Sequence, residues 1–353
     1  QAGSQHGFST HRWSHGGCVC AHRHRGSFDV AEMIFPDEID FAQYEQETDA
    51  QAKVKPAAMW VQELIDRIRN PVKQPRALMP WRKTHAMVAF RPGEVTVWGG
   101  ANGNGKSLVT GQIALSLIAQ DHKVCIASFE MKPGKTLERM GRQYSGYNPE
   151  DPAFAGSDEA KEELVKVYQD FKEWTDGRLW LYDQQGTVTA KQVSAVVRYC
   201  AKEKGITHFF VDSLMKCVAS EDDYNGQKMF VDELTAIARD HGIHIHLVHH
   251  IRKPTDESHK PSKYDYKGTG AITDQVDNVI SVWRNKAKEK QRDEGKQVED
   301  KEPDALLICD KQRNGEWEGS IGLWFDKPSM QYVGGPGDAP LLMYRHPEDD
   351  GWK

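Results

Sequence analysis

The sequence lacks any long apolar run, and this absence excludes a helix that spans a membrane. No stretch of about 18 consecutive apolar residues occurs, whereas a spanning helix needs that length. The basic start and apolar centre of a secretory signal peptide are also missing, because the first residues are polar and rich in histidine. We therefore expect a soluble, cytoplasmic protein that does not associate with membranes.

Neither an excess of positive charge nor a cysteine-rich pattern is present. Lysine and arginine total 46 against 52 aspartate and glutamate, so any contact with nucleic acid must come from local basic loops. Four of the six cysteines lie in apolar segments, where a reduced thiol acts as a small hydrophobic side chain. They are Cys125, Cys200, Cys217 and Cys309. This usage favours a reducing compartment over a disulfide framework.

A glycine-rich segment, Gly100-Ala-Asn-Gly-Asn-Gly-Lys-Ser107, matches the phosphate-loop pattern G-x-x-x-x-G-K-[ST] at every fixed position. An apolar run at 95–98 precedes it and a helical segment at 107–120 follows. Such a loop aims backbone N–H groups at a triphosphate, and the helix adds its positive N-terminal dipole. We expect Lys106 to bind the β- and γ-phosphates and Ser107 to bind Mg²⁺. The other expected nucleotide-binding residues of the loop are Gly100, Asn102, Gly103, Asn104, Gly105 and Leu108.

Apolar runs alternate with helical patterns over 90–333, which predicts an α/β fold with a mostly parallel sheet covered by helices on both faces. The predicted strands are 95–98, 124–129, 179–182, 208–211, 243–248, 279–282 and 306–309. The clearest helical patterns lie at 190–202 and 228–239. The run 284–302 mixes basic and acidic residues without apolar periodicity, and we expect a solvated loop there.

Residues 1–50 have few periodic apolar positions, so a poorly structured tail is expected. Cys18, Cys20, His22 and His24 could ligate zinc, but their spacing matches none of the common zinc patterns. A disordered tail or the remnant of an upstream domain is the favoured alternative.

A short amphipathic helix is predicted at 57–69, followed by a proline-rich break. Its apolar positions share one helical face, and they are Trp60, Val61, Leu64, Ile65 and Ile68. The pattern leaves two places to bury that face: its own domain or a neighbouring subunit.

Two carboxylates follow predicted strands at the sheet edge that carries the phosphate loop. Ligands of open α/β sheets bind beyond the carboxyl ends of strands. Glu130 can therefore orient and deprotonate an attacking water, although a solvated strand-end residue is the alternative. Asp212 follows the apolar run 208–211 and is expected to hold Mg²⁺ directly or through water.

The strand ending at His250 leads into a basic loop. His250 can hydrogen-bond the γ-phosphate and transmit its loss to this loop, whereas His244, His246 and His249 are expected to be packed side chains. The segment 252–267 contains five lysines and arginines with Tyr264 and Tyr266, which suits phosphate contacts and base stacking. The expected DNA-binding residues are Arg252, Lys253, Lys260, Lys263, Lys267 and Gly268.

Lys311 and Arg313 stand two residues apart on a predicted extended segment and so point to the same side. In a ring they could reach the γ-phosphate bound by the neighbouring subunit, with Arg313 as an arginine finger. Without a partner they are charged residues of a hairpin strand.

These segments, in this order, resemble the DnaB-type hexameric replicative helicases. The likeness is greatest to the helicase half of phage primase-helicases and to the mitochondrial helicase Twinkle. It spans about 80–333. It is carried by GGANGNGKS, SFEM, FFVDS, VHHIRKP, GTGAI, DKQRNG and the ending Leu323-Trp-Phe325-Asp326.

The resemblance implies a RecA-like P-loop NTPase core that forms a hexamer around single-stranded DNA and translocates 5′ to 3′ on ATP or another NTP or dNTP with Mg²⁺. It assigns Lys106 and Ser107 to the phosphate loop, Glu130 to the attacking water, Asp212 to Mg²⁺ and His250 to the phosphate sensor. It also implies that Lys311 and Arg313 act in trans and that Phe325 packs on the base. Further implications are central-channel loops near Arg252, a primase or other replisome protein as partner, and a bacterial cell carrying a phage as the setting.

The domain organisation follows from these assignments. We expect a tail at 1–50, a linker at 51–79 whose helix docks on the adjacent subunit as the resemblance implies, a RecA-like ATPase domain at 80–340 and a C-terminal tail at 341–353. No primase-like sequence precedes Ala57, so the resemblance does not extend to primase activity.

The favoured function is therefore an NTP-dependent replicative DNA helicase. One alternative is a RecA-like DNA-dependent ATPase without unwinding activity, such as a recombination mediator, which would not need Lys311 and Arg313. A helicase loader or DNA-binding scaffold with weak ATPase activity is another, and it would be a monomer or dimer.

Overall fold

The apolar runs form the strands of a nine-stranded sheet within residues 56–70, 77–253, 256, 258–268 and 270–344, which the computed structural model describes. Its strands, in chain order, are β3 (Val95–Gly99), β4 (Val124–Ser128), β5 (Leu179–Tyr182), β6 (His208–Asp212), β7 (His244–Val248), β8 (Asn278–Arg284), β9 (Ala305–Gln312), β10 (Gly319–Asp326) and β11 (Gln331–Val333). A separate two-stranded sheet joins β1 (Ala77–Leu78) and β2 (Ala89–Phe90).

The spatial order of the large sheet is β11-β10-β9-β8-β3-β7-β6-β4-β5. The six strands from β8 to β5 in this order run parallel, whereas β9, β10 and β11 are joined antiparallel. The prediction of a mostly parallel sheet is therefore confirmed. Parallel pairing places the ends of β3, β4, β6 and β7 on one edge, where four of the predicted site segments begin.

The helices that accompany these strands are α1 (Ala57–Arg69), α2 (Lys106–Ala119), α3 (Pro133–Ser145), α4 (Pro152–Ala155), α5 (Asp158–Thr175), α6 (Ala190–Tyr199), α7 (Tyr224–His241), α8 (Ala271–Gln275) and α9 (Lys286–Asp293). Side chains of α2, α3 and α5 share one hydrophobic cluster, and those of α6, α7 and α8 share another. The central strands contribute alternate residues to both clusters, as strand geometry requires. The sheet is thus covered on both faces, as predicted.

The charged run 284–302 corrects one prediction, because its first half is helical. Asn285 begins α9 with a side-chain oxygen that accepts the backbone N–H of Lys288 at 3.1 Å. Lys288 is then buried, and its Nζ lies 3.0 Å from a carboxylate oxygen of Asp304. An ion pair rather than an apolar face holds this helix, so the apolar periodicity that predicts helices is absent.

The amphipathic helix predicted at 57–69 is α1, with the same bounds. Its apolar side chains are largely exposed, with relative exposures of 54% for Met59, 52% for Leu64 and 70% for Ile68. Within the described part of the chain, its apolar face is therefore largely uncovered.

The four described cysteines are free and buried, as expected for small hydrophobic side chains. None of the helices in the described ranges is both long enough and apolar enough to cross a membrane. The possible zinc ligands at 18–24, the expected tail at 1–50 and most of that at 341–353 lie outside the described residues.

Candidate nucleotide site

The phosphate loop connects the end of β3 to the start of α2. Gly103 and Gly105 have φ values of 77° and 80°, a left-handed conformation that side chains other than glycine rarely adopt. Gly105 directly precedes the first helical residue, Lys106. A Cβ at position 105 would also come within 3.0 Å of the Tyr332 hydroxyl. The loop geometry therefore explains both of these glycines before the helix start.

Lys106 lies at the centre of the loop and is buried. Its Nζ donates to the carbonyls of Gly100 and Ala101 at 2.9 and 3.1 Å. The same atom is 3.4 Å from Nδ1 of His250, two residues beyond β7. Burial lowers the pKa of the Lys106 ammonium, and the nearby carboxylates of Asp212 and Glu130 oppose that shift. A phosphate at this position would add a further opposing charge.

Ser107 and Asp212 form the predicted metal-binding pair. The Ser107 hydroxyl donates to Oδ2 of Asp212 at 2.6 Å, which joins the start of α2 to the end of β6. Burial raises the pKa of the Asp212 carboxyl, and the Ser107 hydrogen bond partly offsets this. A hydroxyl and a carboxylate suit Mg²⁺, which takes one or two protein oxygens and completes its shell with water and substrate phosphates.

Glu130 completes this edge of the sheet. Its Oε1 accepts a hydrogen bond from the Ser213 hydroxyl at 3.2 Å and lies 3.6 Å from Nε2 of His250. The neighbouring His250 imidazole lowers the pKa of the Glu130 carboxyl, against an opposing effect of burial. Lys106, His250 and Glu130 thus form a continuous polar row beside Ser107 and Asp212. The structure brings together all five of these predicted residues.

The two histidines of β7 and the following His249 are packed, as predicted. His244 and His246 are buried among aromatic side chains, and Nε2 of His249 lies 2.8 Å from the Lys267 carbonyl. Burial lowers the pKa of His244 to about 4 and that of His249 to about 4. Both side chains are therefore neutral packing groups at neutral pH.

The basic loop after His250 folds back on itself. Ile251 pairs with Tyr266, and the backbone N–H of Lys267 donates to the His250 carbonyl at 3.0 Å. Tyr266 is buried, and its hydroxyl donates to the Ile280 carbonyl at 3.2 Å. The suggestion that both tyrosines can stack on bases is therefore wrong for Tyr266, which is fixed against β8. Tyr264 is 79% exposed, so its ring remains accessible for stacking.

The predicted DNA-binding residues all lie on this loop, but their surroundings differ. Arg252 and Lys253 are exposed beside the bridge. Lys260 lies over the ring of Trp283 and Lys263 over that of Tyr264, with Nζ 5.7 and 5.5 Å from the ring centres. Lys267 forms an ion pair with Glu221 at 2.9 Å, so a phosphate would have to compete for it.

Gly268 follows with a φ of 82°, the turn that ends the loop. A Cβ there would overlap Oε1 of Gln227 on α7. Its glycine identity is therefore explained by the turn and the close approach, apart from any contact with DNA.

Two residues beside the phosphate loop were missed by the sequence analysis. Arg284, the last residue of β8, donates from Nη1 to the Gly103 carbonyl at 3.2 Å. Tyr332 on β11 packs against Phe325 with ring centres 5.2 Å apart, and its hydroxyl faces Gly105. Phe325 therefore belongs to an aromatic pair next to the loop. The sequence predicted a strand at 279–282 but not its place beside β3, so it contained no signal for the contact of Arg284 with the loop.

Lys311 and Arg313 lie at the end of the sheet opposite the phosphate loop, beside the first residues of the parallel strands β3 and β8. Gln312 at the end of β9 pairs with Asn278 at the start of β8, and Asn278 pairs with Thr96 early in β3. The phosphate loop follows the other end of β3. Neither side chain is therefore brought to the phosphate loop of its own chain, in contrast to the other predicted catalytic residues.

Comparisons with known proteins agree with this fold. Residues 84–334 match the sequence profile of the family described as DnaB-like helicase C terminal domain. The fold is similar to the solved ATPase domain of a phage helicase, with a TM-score of 0.66 and 17% identity over 80% of this chain and 99% of that one.

A second similar structure is that of a DnaB-like replicative helicase, which is described together with its interactions with primase. It matches with a TM-score of 0.63 and 15% identity over 79% of this chain and 67% of that one. At these identities, the two likenesses show the fold alone.

Proposed function

Because the chain belongs to the DnaB-like helicase family through its NTP-hydrolysing C-terminal domain, we propose that it is a replicative DNA helicase that assembles as a ring on single-stranded DNA. Hydrolysis of ATP or another NTP, with Mg²⁺, drives translocation 5′ to 3′. A primase is the proposed replisome partner, by analogy with the structurally similar replicative helicase, which interacts with primase.

One half of each catalytic site comes from a single subunit. The phosphate loop with Lys106 would hold the triphosphate, and Ser107 and Asp212 would hold Mg²⁺. Glu130 accepts the proton of the attacking water. The Ser107–Asp212 and Glu130–Ser213 hydrogen bonds support these roles, because they hold both carboxylates at the strand ends beside the loop.

The other half comes from the next subunit, and the sheet geometry carries this proposal. Lys311 and Arg313 lie across the sheet from the phosphate loop, so they cannot complete the site of their own chain without a large rearrangement. A head-to-tail contact would set these strand ends against a neighbour's phosphate loop, and repeated contacts of this kind form a ring when the rotation between neighbours closes. Each interface then holds one complete site.

His250 links the nucleotide to the basic loop at 252–268, the proposed DNA-binding loop, which is called the DNA loop below. Its ring lies between Lys106 and Glu130, and its carbonyl accepts the backbone N–H of Lys267 at the loop's far end. Loss of the γ-phosphate would change the contacts of the ring, and the backbone contact would carry that change to the loop. Arg252, Lys253, Lys260 and Lys263 then move with the DNA backbone that they bind.

The adjacent subunit is the proposed binding place of α1. Apolar side chains that are half exposed or more on a helix with a polar opposite face favour burial in an interface. This burial would add a second contact between the same pair of subunits.

A forked DNA substrate tests the function. We expect the purified protein with NTP and Mg²⁺ to displace a strand from a fork with a 5′ single-stranded tail, and not from one with only a 3′ tail. DNA-stimulated hydrolysis without displacement of either strand would favour the non-unwinding ATPase. A monomer or dimer in the presence of nucleotide and DNA would favour a loader.

The Arg313→Ala variant tests the shared site. An arginine finger contributes about 10³–10⁵ in rate, so DNA-stimulated hydrolysis should fall by that order while nucleotide binding persists. Hydrolysis is measured at saturating DNA, and binding with a fluorescent nucleotide. Arg313→Lys should recover little, since the planar fork of arginine is lost. Unchanged turnover in Arg313→Ala would reject the finger assignment.

A further inference from the structure

Lys311 and Arg313 share one binding place within their own chain. Nζ of Lys311 donates to the carbonyls of Thr273 and Asp274 at 2.9 and 2.7 Å. Nη2 of Arg313 lies 3.4 and 3.3 Å from the carbonyls of Asp274 and Gln275. Both cations thus contact the C-terminal carbonyls of α8, where the helix dipole is negative.

Asp277, two residues beyond α8, holds the arginine more strongly. Its Oδ1 lies 3.0 Å from Nη1 of Arg313, and its carbonyl accepts the backbone N–H of Arg313 at 2.8 Å. The carboxylate is itself fixed, because Oδ2 accepts the backbone N–H of Val95 at 3.0 Å and the side chain is only 4% exposed. The ion pair therefore connects Arg313 to the strand that leads to the phosphate loop.

The arginine nevertheless keeps an open side. Its side chain is 41% exposed, and a guanidinium has five N–H donors, so donors remain beyond those used by Asp277 and α8. Contacts of this kind orient the guanidinium without covering it. Burial lowers the pKa of the neighbouring Lys311 ammonium, with Arg313 as a further cause, so the two cations are held together against their repulsion.

The segment that binds these cations is also joined to the DNA loop. Gly268 ends that loop and Gly270 precedes α8, so a single residue separates the loop from the α8 region. The carbonyl of Gly270 accepts the Thr273 hydroxyl at 3.0 Å, which fixes the first turn of α8. A displacement of the loop would therefore act directly on the carbonyls that hold Lys311 and Arg313.

We propose that Asp277, together with the C-terminal carbonyls of α8, is the positioning element that holds Arg313 and Lys311 ready for the neighbouring subunit's nucleotide. This inference rests on the proposed function, because it requires Arg313 to act in trans. Asp277 touches no nucleotide in this scheme and acts only through Arg313.

The expected size of the effect follows from the cost of a misplaced catalytic group. Arginine has a long flexible side chain, and a displacement of about 1 Å from the productive geometry can cost about 10² in rate. Asp277→Asn keeps the size of the side chain and its contact with Val95 but removes the charge that holds the guanidinium. The DNA-stimulated kcat should therefore fall about 10²-fold, with KM for the nucleotide changed no more than about threefold.

A loss of activity alone could come from a damaged fold, so the decisive experiment mixes subunits. Lys106→Ala subunits have no working phosphate loop but offer an intact Arg313 to their neighbours. Asp277→Asn subunits have the opposite defect. Each variant alone should be nearly inactive, whereas mixed rings should regain hydrolysis wherever an Asp277→Asn phosphate loop meets a Lys106→Ala neighbour.

Two controls separate this inference from the function on which it rests. Arg313→Ala mixed with Lys106→Ala tests whether sites are shared at all, and it should also regain activity. Arg239→Ala removes another cation near Asp277, 3.8 Å from Oδ1 but on α7, and it should keep hydrolysis within about twofold of the unmodified protein.

The outcomes are distinct. Recovery in both mixtures supports the role of Asp277, and failure in both overturns the shared site and the inference together. Recovery with Arg313→Ala but not with Asp277→Asn overturns the inference alone, because Asp277 would then support the fold of its own subunit. Full activity of pure Asp277→Asn rings overturns it as well.

Discussion

Two carboxylates at adjacent strand ends differ in the direction of their pKa shifts. His250 beside Glu130 lowers the pKa of that carboxyl, whereas burial raises the pKa of Asp212. Glu130 is half exposed and can meet water, while Asp212 is partly buried and accepts the Ser107 hydroxyl. These different surroundings suit the proposed tasks of proton transfer for Glu130 and metal binding for Asp212.

The Glu130→Gln variant should separate hydrolysis from binding. The amide keeps the shape of the side chain but cannot accept the proton of the attacking water, so turnover should fall about 10²–10⁴-fold. Affinity for a non-hydrolysable nucleotide should change little. Glu138→Gln, which removes a carboxylate paired with Lys135 on the surface of α3, is the matched control. Equal turnover in the two variants would contradict the role of Glu130.

At the residue scale, contiguous motifs were predictable and contacts between distant segments were not. The phosphate loop is a continuous segment whose spacing alone predicts its chemistry. Arg284, Tyr332 and Asp277 have no such spacing, because they meet their partners only after β8, β11 and α8 pack beside other elements. Tyr266 shows the converse. An aromatic residue in a basic loop suits base stacking, but the contact with β8 buries this side chain, and the loop sequence alone does not reveal that contact.

Strands β6 and β7 carry a cluster of neutral histidines. Nε1 of Trp98 donates to Nδ1 of His246 at 3.3 Å, so Nε2 of His246 carries the proton that faces Nδ1 of His208 at 3.2 Å. His244 donates from Nδ1 to the Arg91 carbonyl at 2.7 Å and accepts the Thr96 hydroxyl. His246 and His244 each use one nitrogen as donor and one as acceptor, so protonation would break a hydrogen bond.

The cluster predicts a loss of stability in mild acid. Burial lowers the pKa of His244 to about 4 and also lowers those of His208 and His246. Each pKa is lower in the folded state, so the stability that it provides is complete above about pH 6.5 and declines as the pH falls towards 4. The free energy of unfolding by urea should therefore decrease between pH 7.5 and pH 5.

The same pH series contains its own check. Carboxyl groups with lowered pKa values, such as Glu130, lose their contribution only below their unfolded pKa of about 4.3. A decline that begins near pH 6.5 therefore identifies histidine as its source. Stability that is constant, or that rises, from pH 7.5 to 5 would contradict the neutral cluster.

The two tyrosines of the DNA loop form a natural comparison. Tyr264→Ala should weaken binding of single-stranded DNA by about 1–3 kcal/mol, as expected for the loss of one stacked base. Tyr266→Phe removes only a buried hydroxyl and should lower the free energy of unfolding by about 1 kcal/mol while DNA affinity is kept. Fluorescence anisotropy with a labelled oligonucleotide measures the affinities. Equal loss of affinity in both variants would contradict the separation of their roles.

At the element scale, helices with an apolar face were predictable and helices held by polar contacts were not. The bounds of α1 were predicted from its periodicity, and α7 extends beyond the prediction because Asp223 caps it through the backbone N–H of Gly226. In contrast, α9 depends on Asn285 and on the pair of Lys288 with Asp304, which lie in separate segments. Patterning along one segment contains no signal for such a pair.

At the scale of the whole molecule, α1 presents apolar residues that the described part of the chain leaves largely exposed. Its apolar residues have the spacing of a buried stripe, yet Leu64 and Ile68 are more than half exposed. Exposed apolar surface of this kind marks an interaction site in many proteins. Assembly of several chains would therefore bury what one chain exposes.

Replacing Leu64 by Asp should weaken assembly without unfolding the subunit. Burying a leucine contributes about 1.5–3 kcal/mol, so the dissociation constant of the assembly should rise at least about 10-fold. Asp66→Ala, which changes the polar side of α1 where Asp66 accepts a hydrogen bond from Gln62, is the control. Sedimentation at a series of concentrations measures assembly. Equal assembly of Leu64→Asp and the unmodified protein would contradict docking through α1.

The phosphate loop and Arg313 lie at opposite ends of the strands, so each molecule has a front face and a back face that differ. When such units join front to back, every one of them faces the same way around the circle. Clockwise and anticlockwise are then unlike directions, even though all the building blocks are identical. A polymer in the central channel would therefore contact a ring whose two rotational directions differ, and the strand order of each polypeptide sets that difference.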